Sequence, residues 1–212
     1  MSIMTQKQHQ SGFTLIEMIV SIALFATVVT TSLGTLVILI DANARAQSIQ
    51  IAVNNLAFAV DAISRQIRTS TTIRCGGNMN NISPGPGDGT IVSGVNDCPG
   101  TNSRNAIAFT DTRTGERIAF AYDDSGSYGK IVRKVDPPSG GPGTWADLTG
   151  SNVDIVELAF WVGGTDYSGN GNDADIEQPA VTVYVEAVVG DENGLGTRYE
   201  LQTTVVQRKY DL

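Results

Sequence analysis

The sequence predicts an α+β protein: a long N-terminal α-helical spine, part membrane-embedded and part amphipathic, packed on an antiparallel β-sheet headgroup. Three observations predict it. Residues 13–40 are an unbroken apolar run, and residues 49–67 carry apolar side chains at helical spacing. Beyond residue 105, short apolar or alternating segments lie between turns rich in Gly, Asp and Asn. A chain of 212 residues suits one domain with an appendage.

The first element is the apolar run. Phe13 to Ile40 holds 28 residues, one formal charge (Glu17) and no proline. As a helix it would be about 42 Å long, against a hydrocarbon core of about 30 Å, so it is long enough to span a membrane. Residues 1–12 are polar and carry Lys7 and His9 but no acid, and the first charge past the run is Asp41. That bias places the amino end in the cytoplasm and the remainder outside. A cleaved secretory signal would have an apolar core of about 7–15 residues, half this length and without a carboxylate. Glu17 is therefore informative: an acid inside the bilayer is costly unless paired or protonated, and marks a functional position.

The local string Gly12-Phe13-Thr14-Leu15-Ile16-Glu17, behind a short polar leader and ahead of a long apolar helix, resembles the processing site of bacterial type IV pilins and type II secretion pseudopilins. The resemblance implies that prepilin peptidase cuts after Gly12, that the new terminal Phe13 is N-methylated, and that Glu17 stays in the mature subunit. Cutting there exposes an amine with a pKa of about 8 one helical turn from Glu17. In a bundle of such helices each carboxylate compensates a neighbour's amine and fixes subunit register in a low-dielectric core. Residues 1–12 are then the leader peptide and 13–40 the transmembrane and filament-core helix.

The spine continues over residues 41–72 as its amphipathic half. Ile49, Val53, Leu56, Val60, Ile63 and Ile67 line one face, with Gln47, Asn54, Asp61, Arg65 and Arg68 opposite. The helix is expected to run to about residue 70, for about 85 Å. Gly34 is its one interior weak point, and no proline breaks it as in many major pilins.

Residues 73–212 form the β-rich headgroup. Cys75 to Asn105 reads as an irregular loop rich in Gly, Asn, Pro and Ser. Cys75 and Cys98 are the two cysteines of the chain, and outside the cytoplasm they are expected to form a disulfide. Six strands follow: 106–110, 116–122, 130–135, 154–162, 180–189 and 198–207. The order of hairpins around a Gly/Pro loop with Trp145 is similar to J-type minor pseudopilins and W-type minor pilins.

Composition excludes much. Acidic residues outnumber basic ones 22 to 14, for a net charge of −8, which disfavours nucleic-acid binding. Loss of the leader removes the one histidine, His9, and Lys7, taking the charge to −9. No nucleophile elbow exists, and no enzymatic constellation is visible. From Asp136 to Glu192 there are eleven acids and no Lys or Arg. Within that stretch Asp166, Ser168, Asn170, the Asn172 carbonyl and Glu177 fit a calcium loop, with Gly171 at the sixth place. Asp173 departs from the template, where an apolar residue is usual, and a solvated turn has the same composition.

The expected protein is a non-enzymatic minor pilin-like subunit of the bacterial inner membrane. It would be single-pass, with its headgroup periplasmic, and would prime or cap a type II secretion pseudopilus at the filament tip. Its expected partners are prepilin peptidase, other pilin-like subunits and the inner-membrane assembly platform. The alternatives are a minor pilin of a type IV pilus, acting in assembly, adhesion or DNA uptake, and a membrane-anchored ligand-binding ectodomain with an uncut amino terminus.

Overall fold

The computed structural model describes residues 12–76, 97–98, 105–165, 178–189 and 196–208. One helix precedes eight strands: α1 (Leu15–Arg68), β1 (Ser70–Gly76), β2 (Ala106–Asp111), β3 (Arg117–Asp123), β4 (Lys130–Asp136), β5 (Trp145–Asp147), β6 (Asp154–Gly163), β7 (Ala180–Val189) and β8 (Thr197–Val206). The chain forms two compact units, Met1–Gln47 and Ser48–Leu212.

The described part of the first unit is the apolar portion of α1. All its large side chains from Phe13 to Ile40 but the half-buried Val29 stay exposed, Phe13 at 78% and Ile38 at 70%. Such a surface needs lipid or other apolar helices around it. The Ser and Thr residues scattered through it do not spoil that match. The hydroxyls of Ser21, Thr30 and Ser32 donate to the carbonyls of Glu17, Ala26 and Val28 at 2.7–2.8 Å. Thr27 and Thr35 bond the carbonyls three residues back at 2.8 Å. Each polar group is thus satisfied inside the helix, as a bilayer requires. The helix runs through Gly34 without a break.

In the second unit the remainder of α1 lies against two antiparallel sheets, one ordered β1-β2-β3-β4-β5 and one ordered β6-β7-β8. Leu56, Val60, Ile63 and Ile67 are buried, as the stripe predicts, together with Ala52 and Ala59, while Ile49 and Val53 are only half-buried. They share a core with Phe109, Phe120 and Ile131 of the first sheet and Leu158, Phe160 and Val183 of the second. Each fully buried Leu or Ile contributes about 1.5–3 kcal/mol from removal of apolar surface from water. Asn54, Asp61, Arg65 and Arg68 face outward, and Asp61 accepts from Arg65 at 2.9 Å.

The structure departs from the sequence expectation at two strands. α1 stops at Arg68, and Ser70–Gly76, expected as the helix end and the start of a loop, is the edge strand β1. The Ser70 hydroxyl donates to the Ile67 carbonyl at 2.8 Å and ends the helix, and the β-branched run Thr71-Thr72-Ile73 then favours extended backbone. Thr72 sits at φ 52°, within the register shift between Thr71 and Arg74, so a bulge accommodates the bend. The second addition is β5, three residues pairing Trp145 with Lys134.

Turn chemistry fixes the hairpins. Between β2 and β3 the Asp111 carboxylate accepts from the Arg113 amide at 2.8 Å, and Gly115 takes φ 72°. After β3, the Gly129 amide donates to the Asp154 carboxylate at 2.7 Å and its carbonyl accepts from Ile155 at 2.9 Å. A side chain on Gly129 would collide with the Ile155 carbonyl, so this junction between the sheets requires glycine.

Candidate functional site

The residues singled out by sequence at the amino end are Gly12, Phe13 and Glu17. Gly12 and Phe13 precede the helix, and no described residue fills the space a Gly12 side chain would enter. Glu17 lies in the first turn of α1. Its carboxylate accepts from the Thr14 amide and hydroxyl, each at 3.4 Å, while the Thr14 hydroxyl accepts from the Glu17 amide at 3.3 Å. The bonds are long, but the pattern is reciprocal: Thr14 caps the helix and Glu17, three residues on, reaches back. This is a capping box, and the spacing Thr-x-x-Glu is its sequence signature. Thr14 carries no charge, and its part in the site shows in sequence only through its spacing to Glu17.

Two consequences follow for the chemistry. The positive end of the helix dipole favours a carboxylate at Glu17, worth about 0.3–1 kcal/mol where exposed. The same carboxylate is exposed on the helix, so the cap leaves it accessible to a cation from outside the chain. By length and composition α1 is apolar enough to cross a membrane, with mean hydropathy 2.2 over its most apolar window. The helix and the motif at its start point to membrane anchoring.

Elsewhere the cysteines are joined. Cys75 on β1 and Cys98 form a disulfide with Cα atoms 6.3 Å apart. Cys98 is also bridged to β6, its amide donating to the Val162 carbonyl at 3.0 Å. Beside it the Asp97 carboxylate accepts from the Gly164 amide at 3.2 Å and the Thr165 amide at 2.8 Å. The bond therefore staples the edge of one sheet to the edge of the other. Cross-linking a loop of this length stabilises by about 3 kcal/mol on the chain-entropy estimate. Reduction of the full chain in detergent is expected to lower its unfolding free energy by about that amount. An unchanged denaturation midpoint with and without reductant would contradict it.

The candidate calcium ligands Asp166, Ser168, Asn170, Asn172 and Glu177 all lie outside the described residues. Among the described residues no group of three His, Cys, Asp or Glu side chains is placed to hold a metal.

Comparison with known proteins speaks to the amino end alone. No curated protein matches the chain, and no solved structure does. Residues 7–33 match the family described as "Prokaryotic N-terminal methylation motif", the amino terminus of pilin- and pseudopilin-type substrates of prepilin peptidase.

Proposed function

We propose that this chain is a minor pilin-like structural subunit of the bacterial inner membrane that primes or caps a type II secretion pseudopilus. The observation that carries the reading is the methylation motif opening directly into an exposed apolar helix, with a folded β-rich unit beyond it. Prepilin peptidase would cut after Gly12 from the cytoplasmic side, leaving methylated Phe13 as the new terminus. The head would remain periplasmic until the assembly platform draws the subunit into a filament tip with related subunits. Glu17 would then compensate the terminal amine of a neighbour. The protein works by assembly and needs no catalytic group.

The strand order around Trp145 suits a J-type pseudopilin and a W-type minor pilin alike. Deletion in the host separates them. Loss of secretion with surface pili intact is the expected result, whereas loss of pili with secretion intact would assign the chain to a type IV pilus.

A calcium loop at 166–177 is proposed on its spacing of oxygen ligands. Titration calorimetry on the full chain in calcium-free detergent should show binding with Kd about 10⁻⁴–10⁻³ M. No heat at millimolar calcium would end that assignment.

A further inference from the structure

The outward face of the β6-β7-β8 sheet, away from α1, carries a row of like charges. Register pairs Glu157 with Glu186 and Glu186 with Glu200, so three carboxylates stand side by side across the three strands. The register shift between Ile155 and Glu157 turns Glu157 outward while Ile155 and Leu158 both stay buried. Like charges directly opposite in a sheet destabilise it, so local stability does not account for this row. Within the chain Arg198 pairs with the central Glu186, which is nearly buried. Glu157 and Glu200, both exposed, have no hydrogen-bond or ion-pair partner among the described residues. Tyr184 lies in the adjacent row, its ring 6.3 Å from that of Trp161. Burial, and then the fields of Glu200, Glu186 and Glu157, raise its hydroxyl pKa above the ordinary value.

The same unit carries a matching set of cations. Arg65 and Arg68 are exposed in the last turn of α1, and the Arg208 amide donates to the Arg68 carbonyl at 3.2 Å, which brings a third exposed arginine alongside. Asp61 takes Arg65, as Arg198 takes Glu186. Of these two sets, Arg68, Arg208, Glu157 and Glu200 are left without a side-chain partner among the described residues. Glu200 and Arg208 do not neutralise each other within one chain: they are eight residues apart along β8 and its extension, about 26 Å at strand rise. That exceeds the screening length of about 8–10 Å at ordinary salt.

We propose that this sheet face docks a second copy of the chain, with Glu157 and Glu200 receiving the partner copy's Arg68 and Arg208. The two patches differ and lie apart, so the contact is heterologous and runs head to tail, leaving a free patch at each end. It lies wholly in the second unit and stands whether or not Gly12 is processed.

Sedimentation of the full chain in detergent tests it. Self-association is expected to weaken at least about tenfold between 50 and 500 mM salt, since screening acts on exposed pairs. The double variants Glu157→Gln/Glu200→Gln and Arg68→Gln/Arg208→Gln should each lose association by a similar factor while keeping the wild-type circular dichroism. Mixed one to one, they should form a dimer that grows no further, because only one complementary pair of patches remains. A wild-type chain that stays monomeric at 50 mM salt would overturn the proposal. So would association indifferent to salt and to both variants, or a mixture that fails to dimerise.

Discussion

Glu17→Gln is expected to leave α1 folded and inserted in the membrane, yet to reduce incorporation of the subunit into filaments by about a hundredfold or more. Two accounts of Glu17 meet at this substitution. As a cap, its carboxylate accepts from Thr14 while Thr14 accepts from its amide. Glutamine serves the same position in a capping box, so the cap account predicts near wild-type behaviour. As an anion facing a neighbour's amine, Glu17 cannot be replaced by a neutral side chain. Removing one partner of a buried ion pair strands the other at a cost of about 3–5 kcal/mol. Glu17→Ala should be worse by the further loss of the cap, about 1 kcal/mol. Quantifying each variant in purified filaments against total membrane protein separates the accounts. Equal incorporation of Glu17→Gln and wild type would reduce Glu17 to a helix-start residue.

The second large effect concerns Gly12. Gly12→Val should block processing completely, so that the chain accumulates with its leader attached and stays out of filaments. Folding gives no reason for such an effect, since among the described residues nothing lies within 4 Å of the added Cβ. The cost falls on the peptidase, which on the proposed reading needs an unobstructed extended backbone at the bond it cuts. Immunoblots of membranes would show one slower band in place of the mature species. Normal maturation of Gly12→Val would move the cut elsewhere.

Much of this architecture was legible from the order of residues, for identifiable reasons. The buried stripe at Leu56, Val60, Ile63 and Ile67 follows from helical periodicity, which depends on local spacing alone. The hairpin around Thr112-Arg113-Thr114-Gly115 is likewise local, written in an Asx turn and a glycine at positive φ. β1 was not legible, because the Thr71-Thr72-Ile73 run continues directly from a helix and becomes a strand only by pairing with β2, more than thirty residues on. The split into two sheets, with α1 against both, likewise depends on which strands pair. The row Glu157, Glu186 and Glu200 is spread over three strands and exists only through register and a bulge in β6. At the amino end the cap at Thr14 is local too, since Thr-x-x-Glu stands in plain sequence.

The buried Lys134 shows a further limit of sequence pattern. Lysine in the middle of a predicted strand reads as solvent-facing, yet Lys134 and Asp136 are both fully buried, with Nζ 3.9 Å from the carboxylate and 5.9 Å from the Trp145 ring centre. They stand on the face of the first sheet that also carries Ala108 and Ala119, small residues that leave room for a long side chain to lie flat.

Mass analysis of the amino terminus of the native protein, purified from its host membranes, bears most directly on the central claim. A mature chain beginning at N-methylated Phe13, twelve residues short of the translated sequence, is the predicted result. A chain that keeps residues 1–12, or begins at an unmethylated residue further along, would contradict it.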